Sequence, residues 1–161
     1  MPSWKQTEVW ILVFVLFAVL AECFLLVFRP QRVCFGDACL RVELAATPAA
    51  REQGLMHRER LAPARGMLFV FPKEDFWPFW MKDTRIPLDI LWLDANRKVV
   101  DMVEGARPFV PAQDAAQGPP VFNPVFRSRY VLEANAGWAR KNSVKIGDRA
   151  RFEGVVPLEG R

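Results

Sequence analysis

Two acidic residues lie inside apolar runs. Asp89 sits in Leu88-Asp89-Ile90-Leu91-Trp92-Leu93, and Glu133 in Tyr130-Val131-Leu132-Glu133-Ala134. Both runs predict strands that are buried at least in part. A carboxylate removed from water needs a partner or takes up a proton, so each is either a structural ion or a group tuned for proton transfer. If the two converged, paired carboxylates could do acid–base work on a glycan or peptide. Asp89 and Glu133 are therefore the catalytic candidates. The plainer alternative gives Asp89 a structural partner, from Lys82, Arg85, Arg58 or backbone amides, since structural networks perturb carboxylates too.

A second constellation is Trp80-Met81-Lys82-Asp83-Thr84-Arg85, where charged and hydroxyl groups follow the aromatic run Phe76 to Met81. Such a place, where a strand leaves a core, often carries a binding site. With Arg58, the residues Trp80, Lys82, Asp83, Thr84 and Arg85 form the candidate binding edge. Met56, Met67 and Met81 offer thioethers that hold monovalent copper in exported proteins, but each sits beside Leu, Phe or Trp, and core packing accounts for them more simply. The only histidine is His57, and the cysteines are Cys23, Cys34 and Cys39. Four zinc ligands could be assembled only by recruiting Cys23 from an apolar segment, so no metal site is expected. No nucleophile elbow, phosphate loop or nucleotide fingerprint occurs, and no cofactor is called for.

The elements that must position these residues are short. Val33 to Ala45 predicts a hairpin turning at Gly36-Asp37, with Leu40, Val42 and Leu44 alternating against polar neighbours. That turn would bring Cys34 and Cys39 to disulfide distance, which suits an oxidising compartment; two reduced core cysteines are the competing reading. Thr47-Pro48 starts a helix of about two turns that Gly54 ends. Met67 to Phe71 predicts a central strand stopped by Pro72. Leu88 to Leu93 and Val99 to Val103 form a hairpin around Asp94-Ala95-Asn96-Arg97. Tyr130 to Ala134 is a strand, Gly137 to Lys141 a helical turn, and Arg149 to Val156 the last strand.

Between them, Phe109 to Phe126 carries Pro111, Pro119, Pro120 and Pro124, which preclude a regular central strand, yet it is unusually apolar for a loop. It either closes over one end of the core or forms a docking surface, for which Phe109, Phe122 and Phe126 are the candidate contacts. The fold class expected from this order is mainly β, a β-sandwich or barrel-like domain with an α+β tendency.

Ahead of all this, Val9 to Phe28 is apolar except for Glu22, about the length that spans a bilayer as a helix. The 161 residues leave too little chain to bury a helix apolar all round, so the expectation is an uncleaved signal-anchor. The organisation expected is a flank at 1–8, the transmembrane helix at 9–28, a junction at 29–32, the β domain at 33–156 and a tail at 157–161. Flanking charge does not orient the anchor, because Lys5 and Glu8 oppose Arg29 and Arg32. The cysteine pair does, placing the domain on the periplasmic side of the inner membrane. The net charge of +4 is scattered singly, without a nucleic-acid stripe, so lipid is the expected anionic partner and nucleic acid is not.

Four motifs, Gly54-Leu55-Met56-His57-Arg58, Gly66-Met67-Leu68-Phe69-Val70-Phe71, Trp80-Met81-Lys82-Asp83-Thr84 with Pro87-Leu88-Asp89, and Tyr130-Val131-Leu132-Glu133 with Gly137, occur in an order and spacing that resembles the bacterial and archaeal family called domain of unknown function 192. The resemblance implies a compact, mainly β, sandwich-like fold usually preceded by an export signal or anchor, and brings no established reaction. Asp83 departs from the asparagine usual in the family; if that amide orients a ligand or a turn, a carboxylate there adds charge. His57 stands where the family more often has an aromatic, which argues against a shared histidine chemistry.

The function expected is a membrane-anchored extracytoplasmic binding or accessory domain, docking on a membrane protein complex or another envelope component. A cell-envelope enzyme using Asp89 and Glu133 on a glycan or peptide is the second reading, and a Cu(I)-binding protein using the methionines the third.

Overall fold

The structure, a computed structural model, describes residues 14–19, 30–110, 116 and 118–155, and the chain divides into two units, Met1–Pro30 and Gln31–Arg161. In the first unit residues 14–19 are helical; the remainder of the expected span at 9–28 lies outside the described residues. Among the described residues no helix is long and apolar enough to cross a membrane.

The second unit runs β1 (Arg32–Phe35), β2 (Ala38–Ala45), α1 (Pro48–Gln53), β3 (Arg65–Asp75), β4 (Phe79–Trp80), β5 (Leu88–Leu93), β6 (Val99–Ala106), β7 (Val121–Phe122), β8 (Ser128–Asn135), α2 (Trp138–Lys141) and β9 (Arg151–Glu153). Seven strands form one sheet in the order β6-β5-β8-β3-β2-β1-β9, and β4 pairs with β7 in a separate ribbon. The sheet is curled into a half-barrel, so the domain is mainly β but not two stacked sheets. Its outermost strands come back towards each other: Lys98 bridges Arg149 just before β6 and β9, and the Val99 amide donates to the Asp148 carbonyl at 2.8 Å. Closure of this kind covers edges that would otherwise invite pairing with other chains.

Alternation along the central strands sorts side chains to two sides of the sheet. Leu68, Val70, Leu91, Leu93, Tyr130 and Leu132 join one buried cluster with Val33, Leu40 and Trp138. Met67, Phe69, Phe71, Ile90, Trp92 and Val131 join the other, covered by Leu55, Phe79, Met81 and Ile86. The second cluster exists because β2 and β3 are parallel, with Leu44 opposite Leu68. A parallel pair needs a crossover, and residues 46–64, carrying α1, supply it. Thr47 caps α1 by accepting from the Ala50 amide at 3.2 Å, and Gly54 ends it at φ 47°.

Two expectations are corrected. Pro72 does not stop its strand: β3 continues to Asp75 across an irregularity between Val70 and Asp75, the kind of position that tolerates a residue with no amide hydrogen. The proline-rich loop gives no strand of the main sheet among its described residues, only the two residues of β7 in the separate ribbon, with Phe122 opposite Phe79. The last strand is shorter than Arg149 to Val156, spanning Arg151–Glu153, and Val156 lies outside the described residues.

Cys34 and Cys39 are directly opposed across the β1–β2 hairpin and form a disulfide, with Cα atoms 4.1 Å apart. Gly66 is required by close approach: a Cβ there would lie 2.7 Å from the backbone oxygen of Glu133. Because backbone rather than a side-chain tip would have to yield, Gly66→Ala is expected to cost about 2 kcal/mol in urea denaturation and to part β3 from β8.

Candidate functional site

Asp89 and Glu133 lie on adjacent strands but on opposite faces. In the β5–β8 register Asp89 is opposite Ala134, while Glu133 is opposite Ile90. A one-residue offset reverses the face, so the two carboxyl groups cannot share a substrate. That corrects the paired-carboxylate reading. Asp89 is 0% exposed and its oxygens accept three backbone amides, from Gly105 at 2.9 Å, Gly137 at 3.0 Å and Ala139 at 2.9 Å. None of Lys82, Arg85 or Arg58 is its partner. It ties β6 to the amino-terminal end of α2, a structural task that saturates its acceptors.

Glu133 is different. It is 4% exposed and stands in a cross-strand row Glu43–Met67–Glu133–Ile90 on the other face. Its Oε2 has no hydrogen-bond partner among the described residues. Burial pushes its carboxyl up to about 8, with the Arg58 guanidinium pulling the other way. Above it lies a recess of about 20 Å³, room for roughly one water molecule. Its walls come from the end of α1 and the following turn (Gly54, Leu55, Met56), from Phe69 of β3, from Phe79 and Trp80 of β4, and from Thr84. Segments of all four sequence motifs thus meet at one point.

Next in sequence to the lining residues Met56 and Thr84 stand two non-glycine residues in the left-handed region, His57 at φ 63° and Asp83 at φ 51°. They are joined directly, the His57 amide donating to the Asp83 carbonyl at 2.8 Å. Asparagine and aspartate tolerate this conformation better than most residues, which explains both the family's asparagine and the aspartate here as turn formers. Thr84 is buried and its hydroxyl donates to the Lys82 carbonyl at 3.2 Å. Trp80 remains 43% exposed, with the Lys82 ammonium over its ring at 5.2 Å. Arg85 reaches out to Glu59 at 2.8 Å.

Arg58 makes a two-pronged pair with Glu43, each nitrogen 2.7 Å from an oxygen. Those hydrogen bonds hold the Glu43 carboxyl below its ordinary value. Glu43 was not legible as a site residue, although its place on the alternating strand before the motif could have pointed to it. Arg51, also missed, closes the recess from α1 while donating to the carbonyls of Ala46 at 2.6 Å and Val70 at 2.9 Å.

Of the remaining candidates only Met56 joins this site. Phe122 packs half-buried against the second core cluster, and Phe109 is half-buried. Phe126 is 57% exposed and lines a separate groove with Lys98 and Ile146. Met67 and Met81 are packed in the second cluster while Met56 lines the recess. Among the described residues no group of three or more His, Cys, Asp or Glu could hold a metal ion.

A family model described as Uncharacterized ACR, domain of unknown function 192, matches residues 31–152. No curated protein matches the chain. Among solved structures, a protein from Sinorhizobium meliloti described as a candidate transcription regulator aligns with a TM-score of 0.67 at 34% identity, over 78% of this chain and 93% of its own. A protein of unknown function from Novosphingobium aromaticivorans aligns with a TM-score of 0.66 at 32% identity, over 76% of this chain and 83% of its own.

Proposed function

The chain belongs to the domain of unknown function 192 family, and on that premise we propose that it is an extracytoplasmic binding module, tethered to the inner membrane by residues 9–28, that receives an envelope component at the recess over Glu133. The observation that carries this reading is the buried, unpartnered Oε2 of Glu133 at the floor of a recess built by the family's own motifs. A desolvated polar group without a partner, on a side chain that lines a cleft, costs stability and is a pointer to a ligand. The apolar run at 9–28 supports the tether, and the Cys34–Cys39 disulfide supports an oxidising compartment. Acid–base catalysis by the pair Asp89 and Glu133 finds no support, because the two lie on opposite faces of the sheet. Nucleic acid finds little support, since Arg32, Lys73, Arg85, Arg140 and Arg151 each face a carboxylate.

The test is photo-crosslinking of the full chain in cells, with the reactive side chain placed at position 82 beside the mouth, after membrane fractionation and thiol trapping. The chain is expected in the membrane fraction, with Cys34 and Cys39 alkylated only after reduction, and with an adduct at position 82 that disappears in Glu133→Leu. Free thiols without reduction, a soluble chain, or an adduct indifferent to Glu133→Leu would each overturn the proposal.

A further inference from the structure

We infer that the recess over Glu133 takes a single hydroxyl group of a neutral saccharide, with the sugar ring lying against Trp80. This rests on the preceding reading of the recess as the binding site and names its ligand class. The interior admits about one water, and a hydroxyl is the group of a larger ligand that matches water in size while both donating and accepting. A carboxyl kept protonated by burial offers the complementary pair, one donor and free acceptor lone pairs. The Thr84 hydroxyl, whose proton is given to the Lys82 carbonyl, adds a further acceptor at the same wall.

Charge argues against the alternatives. The charged groups around Glu133 are Arg51 and Glu52 from α1, which line the recess, and Arg58 from the segment after α1, which is itself paired with Glu43 of β2. Of the two guanidiniums only that of Arg51 lines the recess, and a cationic ligand would enter beside it. An anionic one would find both already engaged, Arg58 with Glu43 and Arg51 with two carbonyls. At the recess wall the indole of Trp80 is 43% exposed, and a sugar ring that displaces the Lys82 ammonium from over it would pack its C–H face on the indole.

Calorimetric titration of the full chain in a non-glycosidic detergent tests this, with maltotriose, mannotriose and chitotriose as neutral probes and a glucosamine trimer and trigalacturonate as charged ones. At least one neutral trisaccharide is expected to bind, about tenfold more weakly in Trp80→Ala and more than about tenfold more weakly in Glu133→Leu, while Glu133→Gln, which can still donate and accept, stays within about fivefold. Circular dichroism of each variant confirms its fold. No neutral binding up to about 10 mM, tighter binding of either charged trimer, or unchanged affinity in folded Glu133→Leu overturns the saccharide assignment. A Glu133-dependent crosslink at position 82 together with any of these results removes the saccharide and leaves the binding module.

Discussion

Asp89→Ala is expected to leave the domain largely unfolded. The substitution strands three amides, the buried one of Ala139 and the partly buried ones of Gly105 and Gly137, which together hold β6 and the start of α2 against β5. The buried donor costs about 1–3 kcal/mol and the two partly buried ones less, and with the void left by the fully buried carboxyl the sum is on the order of 4–5 kcal/mol, close to the lower end of the whole stability of a small domain. Asp89→Asn keeps the shape but turns an amide nitrogen towards one of those donors, and is expected to cost about 2–3 kcal/mol. Urea denaturation and soluble yield measure both. An Asp89→Asn protein as stable as the wild type would show that the three contacts carry little.

Glu133 predicts the opposite pH dependence from an ordinary buried ion pair. Its carboxyl sits near 4.5 in the unfolded chain and is raised to about 8 in the fold by desolvation. The folded state therefore holds a proton that the unfolded state has released, and stability falls as pH rises through that window. Below about pH 4.5 both states are protonated and the penalty is absent; above about pH 8 it is complete, on the order of 5 kcal/mol. Glu133→Gln should flatten this slope, and Glu133→Leu should be more stable than the wild type at high pH if the recess tolerates the branch. The Glu43–Arg58 pair does not confuse the measurement: Glu43 is lowered, so its contribution is lost only as the pH falls below its ordinary value. Denaturation midpoints across the pH range in wild type and Glu133→Gln decide the matter, and parallel curves would refute the assignment.

A domain that keeps a buried, unpartnered carboxyl in its core carries a standing stability cost. That cost is intelligible if the carboxyl meets a ligand, since occupation would satisfy the open acceptor and stabilise the fold by mass action.

Much of this architecture was readable from local pattern. Alternation in Leu40 to Leu44, the threonine–proline helix start, the turn at Asp94 to Arg97 and the close Cys34–Cys39 spacing each depend on neighbours in sequence, and each is found in the fold. What local pattern could not supply was long-range pairing. The parallel β2–β3 contact depends on a crossover of residues 46–64, and it is this crossover that covers the Glu133 face and builds the recess. The partner of Arg58, Glu43, lies across the same crossover.

The two carboxyl groups make the division plain. The sequence by itself determined that Asp89 and Glu133 would each be buried in a strand, because the hydrophobic effect acts on every residue of an apolar run. Only the tertiary structure decided that one would be saturated by amides and the other left open, because faces are set by register between strands far apart in the chain, and a single-residue offset between β5 and β8 sends their side chains to opposite sides.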